Sequence, residues 1–471
     1  MTASPEPRIA IVGAGIAGLA AAHALRTAHP KWPVRIFDPN SRAGGKIVTD
    51  TEDGFVIEGG PDSFVTDKPW CLDLCRNLGL EHRLVPCNTA GQSVFILRNG
   101  KWVQFPGGLR LTIPTQFRPF LASSILPWSA KLRMLGDLVL PRGPATDDES
   151  LADFIRRRFG HECLEGLAGP MMAGIYVSDP QRMSMEATFP TFRTMERDHR
   201  SLILAAQRAK RKRKPGTNPP PMFQSLIGGM GELARTLQEN LSHGFEPGSN
   251  VESITREPGG YTLEITRGTS TRREHATDIL LAVPAWEAAR LLRPLHAALA
   301  DALEAIRYVS TATLSLAFAE SDLPPHLPCR GFGGLIPPRE NRRLIAMTWA
   351  STKFPGRAPE GYRLLRVFVG GPRHEADVDL DDQAMLSLVR SELRDLLGIT
   401  HPPQHVRLYR WPRANPQYDV GHLLRVSRME QQADSLPGIF LAGSAYRGIG
   451  MPDCIRDGQR AAQRLAGRYT F

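Results

Sequence analysis

The residues best placed to do chemistry in this chain are glycines. Gly13-Ala14-Gly15-Ile16-Ala17-Gly18 follows directly on an apolar run, Arg8–Val12, and opens an alanine-rich stretch that reaches about Leu25. A strand, a G-x-G-x-x-G turn and a helix, in that order, form a cradle for a dinucleotide. Gly13 permits the tight turn, Gly15 lets a pyrophosphate approach the backbone, and Gly18 lets helix and strand pack closely. The helix start supplies unpaired N–H donors and a partial positive charge for phosphate oxygens. A second short strand, Val34–Phe37, ends in Asp38, twenty residues past Gly18, where a carboxylate can take ribose hydroxyls. No Ser-His-Asp, Cys-His or paired-carboxylate arrangement stands out. The catalytic side chains are therefore left unassigned, and the hard chemistry falls to a bound cofactor.

Three further glycine clusters narrow the cofactor. PNSRAGGK (39–46) carries Arg42, Gly44, Gly45 and Lys46 just beyond the ribose carboxylate. FVIEGGPDSF (55–64) carries Gly59, Gly60, Pro61 and Asp62, and LAGSAYRGIGMPDCI (441–455) carries Gly443, Gly448 and Gly450. Glycine pairs let backbone lie against a ligand where a side chain would clash. The Asp38-x5-Gly44-Gly45-Lys46 spacing resembles the signature of glutathione-reductase-like and amine-oxidase-like flavoproteins. That resemblance implies FAD, with the 55–64 segment at the flavin end. In the last cluster, Pro452 suits a first helical turn. A helix start there favours the charge of a reduced flavin by about 0.3–1 kcal/mol.

Longer blocks carry a closer resemblance. EGGPDSFVTDKP (58–69), GPMMAGIYVSDPQRMSMEATFP (169–190), FQSLIGGMGEL (223–233), RWPRANPQYDVGH (410–422) and the 441–455 turn look like the porphyrinogen-oxidase family of haem biosynthesis. The 169–190 block and the PDCI ending are specific to that family; the glycine fingerprint belongs to the wider superfamily. The resemblance implies oxidation of a porphyrinogen to a porphyrin by FAD and molecular oxygen, with hydrogen peroxide formed. Six electrons leave the substrate, so three two-electron cycles are needed. It also implies that Val251 meets the adenine through its backbone, and that Trp411, Ile449, Gly450 and Met451 join the cofactor-binding set.

The elements that must position these residues can be read coarsely. An α/β fold is expected, with a Rossmann-like FAD-binding part assembled from 8–90, 222–290 and 430–471. A mixed-sheet substrate part is expected from 91–110 and 300–429, and a helical part from 111–215. Residues 248–266 read as two strands around a Gly-Gly turn. Between Pro114 and Pro141, apolar residues recur at three- and four-residue spacing among sparse cations, which suits either an interfacial amphipathic surface or a helix facing a core.

Composition bounds the partners. Among 471 residues the hydrophobic share is 42% and the charged share 23%, as in ordinary globular proteins. The net charge of +10 favours acidic partners. A basic run, RAKRKRK (208–214), reads as an exposed loop or a contact with an anionic membrane surface; without interleaved aromatics or a nucleic-acid motif, nucleic acid is set aside. Six scattered cysteines without metal-ligand spacing suggest reduced thiols and no metal. The opening MTASPEPR lacks an apolar core and no stretch approaches about 18 apolar residues, so a cytoplasmic protein, at most peripheral on a membrane, is expected.

The substrate's carboxylates call for cations at an apolar pocket's edge, and the candidates are Arg98, Lys101, Arg193 and Arg447. Protoporphyrinogen IX carries two propionates and coproporphyrinogen III four. The protoporphyrinogen branch commonly has an arginine where this chain has Ser93, and an N-D-C-I ending where this chain has Pro452-Asp453-Cys454-Ile455. Both departures resemble the coproporphyrinogen branch. Rival readings are a protoporphyrinogen oxidase, an amine-oxidase- or desaturase-like enzyme, and a non-catalytic flavin-binding membrane protein.

Overall fold

The structure, a computed structural model, describes residues 6–88, 93–110, 112–143, 148–211, 221–329 and 331–469. Its first layer is a five-stranded parallel sheet. The strands are β1 (Ile9–Val12), β2 (Val34–Asp38), β3 (Phe245–Pro247), β4 (Asp278–Leu281) and β5 (Ile439–Leu441), in the spatial order β3-β2-β1-β4-β5. Three separate stretches of chain thus build one sheet. β1 and β4 are buried at every position, as expected of parallel strands covered on both faces.

Alternation along the strands divides two cores. Ile9, Ile11, Val34, Ile36 and Leu280 face the helices α1 (Ile16–Ala28) and α2 (Met451–Ala466). Ala10, Val12, Phe37, Ile279 and Leu281 face a β-meander and the helices that follow it. The meander has a third strand, Ser270–Ala276, beyond the two expected; its sequence, STRREHA, carries no apolar alternation. The alanines explain how α1 and α2 come together. Ala20, Ala21 and Ala22 are fully buried, and a Cβ on Gly458 of α2 would lie 2.1 Å from the Ala17 carbonyl oxygen of α1.

A second, seven-stranded mixed sheet has the order 405–416, 308–319, 362–370, 344–349, 333–335, 94–98, 101–104. The helix Asp382–Leu397 covers it through Met385, Val389 and Leu393; Asp381 caps the start and Gly398, at φ +70°, ends it.

The remaining core is helical and runs from Phe117 to Arg211. Pro127 and Gly136 break the 114–141 stretch into Phe117–Ala122, Trp128–Leu135 and a 3₁₀ turn, and part of the stretch faces the core. Phe120, Ile125, Leu126 and Met134 are buried, whereas Trp128, Leu132 and Val139 are 63–75% exposed. Behind them lies a buried ionic network. Arg158 donates through Nε to Asp137 at 2.7 Å and approaches Glu196, which Arg157 also meets. The helix Leu202–Arg211 carries the start of the basic run, whose residues 212–214 lie outside those described. No described helix is long and apolar enough to cross a membrane, and all six cysteines are buried free thiols.

Candidate FAD site

Parallel strands send every following helix back from the same edge, so α1 and α2 both start at the carboxyl edge of the first sheet. Gly15 is the N-cap of α1 and Gly450 that of α2; neither helix has a side-chain cap, and the first turn of α1 holds no acidic residue. Two positive helix ends with unfilled N–H groups therefore open on one side of the molecule.

The glycines at this edge do different work. Gly13 sits at φ +102°, and a Cβ there would meet the Ala282 carbonyl oxygen at 2.6 Å. A Cβ on Gly18 would lie 2.0 Å from the Gly13 carbonyl oxygen, so that glycine serves packing. Gly15, by contrast, has ordinary φ, and its Cβ would meet no protein atom within 4 Å. It marks the cradle. The second glycine pair closes on the first: Gly44 donates to the Ala14 carbonyl and bridges Gly15, and a Cβ on Gly45 would stand 3.1 Å from the Gly15 Cα. Arg42 holds that turn by donating to the carbonyls of Ala43, Gly45 and Ile47.

Asp38, at the end of β2, is buried. Its Oδ2 accepts from the Ala14 N–H at 2.7 Å and its Oδ1 from the Asn40 backbone and side chain. The carboxylate thus stands under the first glycine turn. Val251, two residues past Ser249, is brought near it in space: the Ser249 N–H donates to the Asp38 carbonyl, and the Val251 carbonyl accepts from Arg290.

Gly59 and Gly60 are placed by the Lys46 turn and the seven-stranded sheet. A Cβ on Gly60 would lie 1.7 Å from the Lys46 carbonyl oxygen, and one on Gly59 would enter the Tyr409 ring. The Gly59 carbonyl accepts from Thr313, Arg366 and Trp411, all on the seven-stranded sheet, at 3.0–3.1 Å. Asp62 forms an ion pair with Lys353 at 2.9 Å. Burial would raise its pKa, but Lys353 and Arg366 outweigh that and hold the carboxyl well below the usual range. Lys46 keeps accessible surface; its Nζ donates to the Ala414 carbonyl at 2.5 Å, and desolvation by the groups around it lowers its pKa.

The C-terminal turn closes the site. Helix α2 starts at Met451, one residue before the expected Pro452, with Ile449 and Gly450 immediately ahead of it. Gly448 has φ +136°, and a Cβ there would strike Asp453 at 2.4 Å. Asp453 is paired with Lys68 at 2.6 Å, and burial, then the nearby Asp453 and Asp67, push the Tyr176 pKa up to about 12. Lys68, Tyr176, Lys353 and Arg366 escaped the sequence reading. Lys68 and Tyr176 lie inside two quoted blocks, and that was their only signal.

The four cations read as substrate contacts are not brought together. Arg193 bonds Glu149 within the helical network, and Arg447 is paired with Glu430. Arg98 donates to the Ser124 carbonyl, and Lys101 is exposed in the adjoining edge strand, across the second sheet from Trp411. Among the described residues no cluster of His, Cys, Asp and Glu could hold a metal ion.

Two helix starts, a glycine cradle over a ribose-level carboxylate and a third glycine pair braced by a second sheet define a dinucleotide-binding oxidoreductase of the flavin type. Residues 16–466 match the family described as flavin containing amine oxidoreductase, and the chain belongs to it. Its cofactor is FAD. The chain is 33% identical over 475 residues to coproporphyrinogen III oxidase of Bacillus subtilis strain 168, covering 99% of each. It is 28% identical to the chloroplastic protoporphyrinogen oxidase of Nicotiana tabacum, covering 98% of this chain and 86% of that one. A crystal structure from Exiguobacterium sp. 255-15, provisionally named protoporphyrinogen oxidase, superposes with a TM-score of 0.87 at 32% identity, covering 98% and 99%. Within the flavin family, the chain is a member of the porphyrinogen-oxidase group.

Proposed function

We propose that this chain oxidises coproporphyrinogen III to coproporphyrin III, with molecular oxygen as acceptor. The substrate gives up six electrons and six protons; three oxygen molecules take them and leave as hydrogen peroxide. The observation that carries this reading is the end-to-end match to the Bacillus enzyme, stronger than that to the tobacco enzyme. Ser93 supports the same substrate. A small hydroxyl, bonded to Gln104 at 2.8 Å and packed on Gly331, occupies the position where the other branch commonly carries an arginine.

Bound FAD supplies a two-electron acceptor that takes hydride. In this reading the protein does the rest by position. In the Gly13–Gly18 turn, Gly15, Ile16 and Ala17 present the helix-start backbone to the pyrophosphate, Gly13 makes the tight turn, Ala14 holds Asp38 in place and Gly18 packs helix on strand; Asp38 faces the ribose, and Val251 the adenine. Gly44, Gly45 and Lys46, with Gly59, Gly60, Pro61, Asp62 and Trp411, frame the flavin end, and Arg42 buttresses the turn. Ile449, Gly450 and Met451 bring the start of α2 to the same end, where its partial charge and Lys46 together favour electron uptake. On this assignment 8–90, 222–290 and 430–471 form the FAD-binding part, 91–110 and 300–429 the substrate sheet, and 111–215 the helical part.

Contact with an anionic membrane surface on the cytoplasmic side belongs to the same reading. Trp128 and Leu132 share one helix face, and the exposed Val139 borders a surface hollow lined by Arg142, His199, Arg200 and Arg208, with Asp198 the one acidic residue among them.

The test is an aerobic assay of the purified chain with each porphyrinogen, followed by porphyrin fluorescence. A preference of about tenfold in kcat/KM for coproporphyrinogen III is expected, from rim contacts left unmade by protoporphyrinogen. Ser93→Arg should narrow the gap. Equal turnover or the reverse preference would transfer the assignment to protoporphyrinogen IX, and no turnover of either would leave a flavin-binding protein.

A further inference from the structure

The 410–422 block braces the glycine clusters, yet the reading above uses only Trp411 from it. The strand 405–416 places Trp411 on Gly59 and the Ala414 carbonyl on Lys46. The loop beyond it places Tyr418 in the middle of the C-terminal turn, 5% exposed. There its hydroxyl donates to the Ser444 carbonyl at 2.7 Å and accepts from the Gly448 N–H at 2.8 Å. One oxygen thus pins both ends of a five-residue segment. Its ring stacks on His422, with centroids 3.8 Å apart and planes at 13°. His422 reaches the segment's midpoint, donating from Nε2 to the Tyr446 carbonyl at 2.8 Å. The Tyr418 carbonyl in turn accepts from Ser184, in the helical part, at 2.7 Å.

We propose that Tyr418 is a positioning residue for the cofactor: its phenol holds residues 444–448 in the conformation that presents Ile449 and Gly450 to the flavin, before FAD arrives. The inference rests on the reading of 441–455 as a flavin-facing turn. Only a hydroxyl can donate and accept at one atom in this way. Burial pushes the phenol's pKa well above its ordinary 10, which keeps the proton it donates. Gly448 can carry no side chain of its own, because its φ of +136° and the Asp453 side chain leave no room for a Cβ, so this end of the segment is held through its backbone. The Tyr418 hydroxyl takes its N–H, Arg456 donates to the Arg447 carbonyl, and through Ser184 Tyr418 ties the turn to the helical part.

The test compares full-length Tyr418→Phe with Tyr261→Phe. Tyr261 is a second buried tyrosine, whose hydroxyl donates to the Pro437 carbonyl in the core under the meander. Each apoprotein is titrated with FAD, and the bound flavin's visible spectrum and reduction potential are recorded. Tyr418→Phe should bind FAD about tenfold more weakly, the lower end of what one buried backbone group left without its partner costs. Its flavin spectrum and potential should shift. With FAD saturating, kcat should fall while KM for the porphyrinogen stays within about twofold. Tyr261→Phe should lower Tm only. If Tyr418→Phe lowers Tm and leaves FAD affinity, spectrum and potential unchanged, the residue is structural and the proposal is wrong. Failure of the wild type itself to bind FAD would instead overturn the reading on which it rests. Should Tyr418→Phe not fold, hydrogen exchange in the wild-type apoprotein decides. A protected Gly448 amide supports the proposal, and one exchanging at the rate of free loops contradicts it.

Discussion

The carboxyl edge of the parallel sheet and the helical part solve the same problem, holding polar groups away from water, with opposite materials. At the sheet edge the backbone does it. Gly44 donates to Ala14, Gly60 rests on Lys46, and the Gly59 carbonyl collects donors from the second sheet. In the helical part, charged side chains do it. Arg158, 1% exposed, is satisfied by Asp137, which is fully buried, and by the carbonyls of Pro141 and Arg200. A backbone site keeps its donors available for a ligand, whereas a side-chain network spends its charges on itself. Arg193 illustrates the second case: a cation suited by type to a propionate lies against Glu149 and within reach of Glu186 and Glu196.

The comparison breaks most readily at Arg158. Arg158→Met leaves the fully buried Asp137 carboxylate without its cation, while Glu196 keeps Arg157, at a cost of about 3–5 kcal/mol. Thermal unfolding should register that loss, while the FAD content of the protein that remains folded stays stoichiometric. Loss of flavin in proportion to stability would mean that the two regions are not separable.

Acid sharpens the comparison from the other side. Burial, against a hydrogen bond to the Tyr446 carbonyl, lowers the His422 pKa from its ordinary 6.5 to about 4. Between those values the unfolded chain binds the proton more readily than the folded one. The stabilisation is therefore complete above pH 6.5 and is lost as pH falls toward 4, amounting to roughly 3 kcal/mol. Denaturant midpoints measured across that window should fall for the wild type and fall less for His422→Gln. Parallel curves would show that His422 does not carry the acid sensitivity.

The smallest effect is expected at the exposed face of Trp128, Leu132 and Val139. Binding to anionic vesicles should weaken as salt rises, since surface charges are screened over about 8 Å at physiological ionic strength. Trp128→Ser should weaken it further, by up to the roughly 1.5–3 kcal/mol of a buried large apolar side chain. Indifference to both lipid charge and salt would remove the membrane from the account.

What could be read from the sequence follows the same division. Gly13, Gly15 and Gly18, the Gly44-Gly45 pair and the 441–455 turn were legible because close backbone approach requires glycine at fixed spacing, next to a strand or helix start. Asp38 was legible because its distance from the fingerprint is set by the length of one strand–helix unit. Tyr418 was not legible. Its role depends on Ser444 and Gly448, neighbours in space but twenty-six and thirty residues away in sequence. Arg193 and Arg447 looked available because nothing local announces Glu149 or Glu430 as their partners. The strand 270–276 was missed for a related reason: it lies largely exposed, pairs on one side only, and needs no apolar alternation.

The central claim is that the helix-start edge at Gly15 holds the pyrophosphate of FAD through backbone, and Gly15→Val tests it most directly. The backbone at Gly15 has φ −68°, and a Cβ there meets no protein atom within 4 Å, so the substitution should leave the apoprotein folded with an unchanged Tm. The added side chain would occupy the space the pyrophosphate needs. Titration of the folded variant with FAD should show affinity reduced by about 100-fold or more, roughly 2.7 kcal/mol, and the purified protein should be colourless where the wild type is yellow. A folded Gly15→Val protein that retains stoichiometric FAD would contradict the account.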